Sequence, residues 1–221
     1  MKSPTVRLHV VALKAFALGA VFLAALAIIW LNLSNSTIFR LAAYGLATSI
    51  FHMLEFLTTA YYNTAEVDDD SFILTDRDLH LVVVASVVET VTVHYFFNYL
   101  TYSLNVGGLV VVVGQGCRTL AMATAGESFN HYVQREHTEK HKLVTSGIYR
   151  FLRHPSYFGY FWWYVGMQII LGNWVMAAVG TYKLHGFFKA RIQYEEEFLR
   201  SFFPDYSKYA AATRVLIPGI A

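Results

Sequence analysis

Four separate runs of this 221-residue chain are each long and apolar enough to cross a bilayer: residues 10–33, 37–62, 79–100 and 105–125. A membrane helix needs about 20 such residues. In hydrocarbon every backbone N–H and C=O must be satisfied within the protein, so spans of this kind are helices. Composition agrees, because only 14% of the residues are charged, against about a quarter in a soluble domain. A fifth apolar stretch, residues 157–188, carries Gly172-Asn173 near its middle. At 1.5 Å per residue each half reaches only about 24 Å, which predicts a short helical hairpin that enters and returns or barely crosses. The expected fold class is therefore all-α, a polytopic integral membrane protein with about six membrane helices.

Lys2 and Arg7 ahead of the first run imitate a signal peptide. The run is longer than a typical h-region, so it reads as a span. The single cysteine, Cys117, excludes an internal disulfide, and a net charge of +2 gives no case for nucleic acid. Aromatic residues at 16% suit interfacial belts and an apolar ligand tunnel alike.

Placement of Lys and Arg sets the orientation. The connections at 33–36 and 101–105 and the hairpin turn have none, whereas Arg135, Lys140, Lys142, Arg150 and Arg153 crowd residues 127–155. Lys189, Arg191, Arg200, Lys208 and Arg214 follow the hairpin, and Lys2 and Arg7 precede the first span. Both termini and the 127–155 segment are therefore expected in the cytosol. The acidic loop at 66–78 falls on the same side, since acidic residues weigh little in this rule. One domain is expected over residues 1–221: four spans within 10–126, then a polar segment, the hairpin and a C-terminal helix in 127–221.

Polar chemistry concentrates after residue 127, in His131, His137, His141, His154 and the run Arg153-His154-Pro155-Ser156-Tyr157. A helix after the hairpin is expected to present Arg191 and Glu195, four apart, on one face. His137 and His141 imitate one box of a membrane di-iron site, but the paired histidines such sites require are missing. The run Val-Val-Val-Val-Gly-Gln-Gly at 110–116 imitates a dinucleotide loop, but Thr119 stands where the third glycine belongs. Small residues that let membrane helices approach closely explain that run better. Pro155 by itself marks only a helix start. Within the spans, His94 and Lys183 read as polar pairing or snorkelling. Glu55, Glu89 and Arg118 are costlier to bury and are expected to face protein, a partner charge or a wet cavity.

At these residues the sequence resembles the isoprenylcysteine carboxyl methyltransferase family of endoplasmic reticulum membranes. The likeness runs in order through Phe51-His52, Glu55, Thr124-Ala125-Gly126, Phe129-Asn130-His131 and Gln134. It continues with His141 to Tyr149, Arg153 to Gly159, Phe187-Phe188, Arg191, Glu195-Glu196 and Ile217-Pro218, covering roughly residues 45–220. Phospholipid methyltransferases share the His-Pro region but less of the rest.

The resemblance implies S-adenosylmethionine as cofactor, with S-adenosylhomocysteine as product. It implies cofactor contacts at Gln134, His141, Lys142, Leu143, Val144, Tyr149, His154, Pro155, Ser156, Tyr157 and Glu195. Arg191 matches the family's substrate-binding arginine, and no metal is implied. The implied partners are prenylated protein C-termini, farnesyl- or geranylgeranyl-cysteine, together with membrane lipid. Three positions depart from the family pattern: Ala190 replaces an aspartate, His185 a tryptophan and Gly219 an aromatic.

The chemistry suits the residues. An α-carboxylate with a pKa of about 3.5 is already ionised at neutral pH, so methyl esterification needs alignment and dryness rather than a general base. A guanidinium grips a carboxylate in a fixed fork without taking a proton. Arg191 is the first catalytic candidate and Arg118 the second. Glu195 suits a cationic cofactor group, and Tyr149 and Tyr157 suit a sulfonium through their ring faces. Two alternatives remain: a phospholipid or lipid-amine N-methyltransferase, and a non-catalytic lipid-binding membrane module.

Overall fold

The computed structural model describes residues 6–31, 36–96, 103–133 and 142–220. Among them the regular structure is helical, apart from one parallel bridge between Leu152 and Arg214. Helices α1 (Leu8–Trp30), α2 (Ser36–Tyr62), α3 (Arg77–Phe96) and α4 (Ser103–Ala125) coincide with the four apolar runs to within a few residues. These four are long and apolar enough to cross a membrane. On α1 the side chains of Leu13, Phe16 and Leu23 are exposed, as a helix solvated by lipid requires.

Three more helices follow: α5 (Pro155–Leu171), α6 (Val175–Phe202) and α7 (Tyr206–Ala212). The expected hairpin is α5 and α6, but its second arm does not stop near residue 188. The helix that carries Arg191 and Glu195 is the same helix, continuous to Phe202. No proline interrupts residues 175–202, and Pro204 lies just beyond. The change from apolar to charged residues at Lys189 alters the solvent of the helix, not its backbone preference.

The centre of the bundle is the antiparallel contact of α4 with α5. A Cβ at Gly114 would lie 2.6 Å from the Trp163 nitrogen, and one at Gly166 would lie 2.8 Å from the Val111 nitrogen. Backbone touches backbone there, which only glycine permits. The apolar run at 110–116 is thus a packing stripe, although Gly116 itself meets nothing within 4 Å. Phe51, Tyr44, Trp163 and Met167 close the core around this contact.

The hairpin turn is held by charges that match the helix dipoles. Gly172 takes φ 74° and ends α5. Arg40 Nη1 donates to the Ile170 carbonyl at that C-terminus. At the N-terminus of α6, the Glu89 carboxylate accepts from the Val175 and Met176 N–H groups at 2.7 and 2.8 Å. Asn173 joins in, donating to the Ser86 carbonyl at 3.0 Å and accepting from the Thr90 hydroxyl at 2.9 Å. Glu89 therefore faces protein as expected, whereas His94 donates to the Thr90 carbonyl of its own helix. Lys183 is exposed on α6.

At the opposite end, the acidic loop after α2 meets the start of α1. Arg7 Nε donates to Asp69 at 3.0 Å, and Lys14 reaches the Asp69 carbonyl and the Asp70 carboxylate. Phe72, fully buried, stacks on Phe56 at 4.2 Å, and His52 donates to its carbonyl. Asn63 ties the same end to the Phe129 carbonyl at 2.7 Å. The start of α1, the acidic loop and the polar segment after α4 thus share one end of the bundle.

Candidate active site

The polar segment after α4, the first turn of α5 and the middle of α6 meet at that end around a cavity. Lys142, Leu143, Val144, Tyr149, His154, Pro155, Ser156, Tyr157 and Glu195 all line it. These are the expected cofactor positions that fall among the described residues; Gln134, His141 and also His137 lie outside them. Pro155 opens α5, which suits the first helical position where no N–H is needed.

One hydroxyl joins the two expected functions. Tyr157 donates to Glu195 Oε2 at 2.6 Å and accepts from Arg191 Nε at 2.8 Å. The Arg191 guanidinium lies over the Tyr157 and Phe187 rings at 5.5 and 5.9 Å, and its Nη2 donates to the His131 carbonyl. Nη1 has no hydrogen-bond partner among the described residues. The spacing of four did put Arg191 and Glu195 on one face. What the spacing could not supply is the phenol between them.

Arg118 faces a partner charge, one of the surroundings expected for a cation within a span. Its Nε and Nη2 both donate to Glu55, the latter at 2.8 Å, and Nη1 donates to Ser156 Oγ at 2.9 Å. The Phe51 and Tyr160 rings, in edge contact with each other, lie beside the group at 5.5 and 5.3 Å. All three guanidinium nitrogens are engaged and the side chain is 8% exposed, so no nitrogen is left to take a ligand. A bidentate buried pair of this kind costs about 3–5 kcal/mol to break from one side, because the other charge is stranded. Its reach to Ser156 ties it to the cavity wall all the same.

Sequence reasoning gave no role to the group behind the cavity. Glu196 accepts from Arg153 Nε at 2.6 Å, His154 Nε2 at 3.1 Å and Arg200 at 2.9 Å. Arg153 also donates to the Thr213 carbonyl at 3.0 Å, fixing the C-terminal segment against the first turn of α5. Burial alone would raise the Glu196 carboxyl, but hydrogen bonds from His154 and Arg153 hold it down at about 2. Burial, then the nearby Glu195 charge, pushes the Tyr149 phenol up, so it stays protonated. Tyr206 and Tyr209, three apart on α7, also line the cavity. Their spacing was the available signal for one face.

The sequence model of the isoprenylcysteine carboxyl methyltransferase (ICMT) family matches residues 106–201. The protein-S-isoprenylcysteine O-methyltransferase of Saccharomyces cerevisiae is 38% identical over 186 residues, 79% of this chain and 78% of that one. This chain belongs to the ICMT family. The Tribolium castaneum enzyme of the same name is 38% identical, covering 95% of this chain and 76% of its own length, and that of Rattus norvegicus is 36% identical with the same coverage. A solved structure of the eukaryotic intramembrane Ras methyltransferase ICMT superposes with a TM-score of 0.89 at 36% identity. It covers 95% of this chain and 76% of that one.

Two of the three departures from the ICMT pattern touch one another. His185 Nε2 donates to the Pro218 carbonyl at 2.8 Å, and a Cβ at Gly219, where φ is +75°, would sit 3.4 Å from the same ring. The smaller side chains at 185 and 219 therefore fill one shared space. Ala190 is exposed on α6, and nothing in the structure explains it.

Proposed function

We propose that this chain methylates the C-terminal carboxylate of prenylated cysteine, using S-adenosylmethionine, as a protein-S-isoprenylcysteine O-methyltransferase. The observation that carries the reading is the Glu195–Tyr157–Arg191 bridge, which sets a guanidinium beside an anionic cavity wall. Membership of the ICMT family supports the same reading.

The described residues fit the cofactor. The cavity wall combines the Glu195 carboxylate with the stacked rings of His154 and Tyr157, whose centroids are 5.5 Å apart. That combination suits a cofactor bearing an ammonium and a sulfonium. Lys142, Leu143, Val144, Tyr149, His154, Pro155, Ser156, Tyr157 and Glu195 would hold it, with Gln134 and His141 completing the set. When bound, S-adenosylmethionine supplies an electrophilic methyl group.

The residues of the chain then have to hold, orient and dry the acceptor. Arg191 grips the carboxylate through Nη1 and orients one oxygen. Tyr157 keeps that fork from rotating, and its phenol takes no proton from the acceptor. Alignment of this kind supplies several kcal/mol of the barrier. No side chain is asked to act as a base, since the carboxylate is ionised at neutral pH. Arg118 belongs to this reading through Ser156, as a positioning residue.

The six-helix reading also belongs here. Helix α5 is 17 residues, about 25 Å of rise, and with the first half of α6 it forms the short hairpin beside the four spans. The cavity, both termini and the acidic loop then face the cytosol, with the endoplasmic reticulum as the membrane. All of this lies in one domain, residues 1–221. Prenylated protein C-termini are the partners, their tails reaching the site from the lipid.

The test is transfer of labelled methyl from S-adenosylmethionine to a farnesylated cysteine analogue, in membranes containing this protein. The expected product is base-labile, as an ester is, and is absent with the unprenylated analogue. Labelled lipid amine with no ester would move the reading to an N-methyltransferase. Cofactor binding with neither product would leave a non-catalytic module.

A further inference from the structure

We infer that Glu55, on the second span, is a positioning residue that sets Arg191 by way of His131. The inference rests on the carboxylate-methylation reading and deepens it. Arg191 is a long side chain that must present one edge in a fixed plane, so it needs two anchors. Its Nε is anchored on Tyr157, within α5, and its Nη2 on the His131 carbonyl. The second anchor lies in irregular chain after α4, where no helix ladder holds a carbonyl in place. What holds it is the ring of the same residue: His131 Nε2 donates to Glu55 Oε2 at 3.0 Å. Two neighbours steady the segment further, Asn63 donating to the Phe129 carbonyl at 2.7 Å and Asn130 to Glu66 at 3.2 Å.

Glu55 is 1% exposed, and its other bonds run to Arg118 and on to Ser156. One carboxylate therefore governs both walls of the site, the cofactor side through Arg118 and the acceptor side through His131. Neutralising Arg118 would need no histidine. The His131 link is the part that a purely structural ion pair leaves unexplained, and it can be cut alone. The His131 side chain is 23% exposed, so removing it leaves the buried pair intact.

The experiment compares wild type with His131→Ala and His131→Gln, in membranes. It reads kcat, KM for the farnesylated cysteine analogue, and affinity for S-adenosylhomocysteine. His131→Ala is expected to lower kcat/KM for the prenylcysteine about tenfold or more, since small misplacements of a clamp cost that much, while cofactor affinity stays within about threefold. His131→Gln, which keeps a donor toward Glu55, recovers most of the loss. Combined with Arg191→Lys, His131→Ala adds little, because both act through one group. Unchanged kinetics in His131→Ala, additive losses with Arg191→Lys, or a parallel loss of cofactor affinity would each overturn the assignment. A wild type that methylates no prenylcysteine overturns the parent reading, and with it the group that Glu55 is said to position.

Discussion

Gly114 and Gly159 face each other across the α4–α5 contact so closely that a Cβ on either would lie 2.7 or 2.6 Å from the other's carbonyl oxygen. Four residues along α4 from Gly114 is Arg118, and three residues before Gly159 is its partner Ser156. Helix separation and site geometry are therefore one variable. Gly159→Ala is expected to push the helices apart, costing about 1–3 kcal/mol as overpacking does and lowering activity more than tenfold. Thermal unfolding in detergent together with methyl transfer checks it. Gly116→Ala, which meets open space, leaves both unchanged.

The bridge through Tyr157 predicts the cost of its loss. Tyr157→Phe keeps the ring beneath Arg191 and removes the hydroxyl that Glu195 and Arg191 share. Hydrogen bonds to charged groups are worth about 1.5–3 kcal/mol, so kcat/KM for the prenylcysteine should fall roughly 10- to 150-fold. Arg191→Ala, which removes the fork, should nearly abolish turnover. Steady-state kinetics on both variants test this, and wild-type turnover in Arg191→Ala would remove the residue from the mechanism.

The turn of the hairpin makes a separable prediction about stability. Glu89 caps α6 from another helix, through two N–H bonds. Glu89→Gln keeps an acceptor but loses the charge that complements the dipole, a loss of about 0.5–2 kcal/mol. A lower unfolding temperature with unchanged KM values is the expected result, because the turn lies at the opposite end of α5 from the cavity.

Acid should cost stability through the group behind the cavity. The Glu196 carboxyl titrates at about 2 in the folded protein and near the ordinary glutamate value of about 4.3 when unfolded. A depressed carboxylate contributes stability that is present above the unfolded value and is lost as pH falls through the folded one. Unfolding temperature should therefore decline as pH falls from about 4.3 toward 2, and Glu196→Gln should flatten that part of the curve. A curve of the same shape in the variant would assign the acid sensitivity to other groups.

The four long helices were legible because a bilayer imposes length and apolarity on each span separately, and both are properties of contiguous sequence. The continuity of α6 was not legible from hydropathy, because its solvent changes midway while its backbone does not. Glu55 and Arg118 announced themselves as too costly to bury unpartnered. Which partner each takes depends on two spans packing 63 residues apart. The motif around His154 and the four-residue spacing of Arg191 and Glu195 marked residues that the fold brings together around the Tyr157 hydroxyl.

By itself, then, the sequence determined the helical class, the spans, the end that bears the polar chemistry and the family. Tertiary structure alone decided that Arg191 meets Glu195 through the Tyr157 hydroxyl while Arg118 is bound by Glu55, and that Glu55 also holds His131. Local order depends on residues a few positions apart, which a linear reading contains. The partners of a guanidinium depend on which groups distant in the chain are packed beside it, and only the folded bundle settles that.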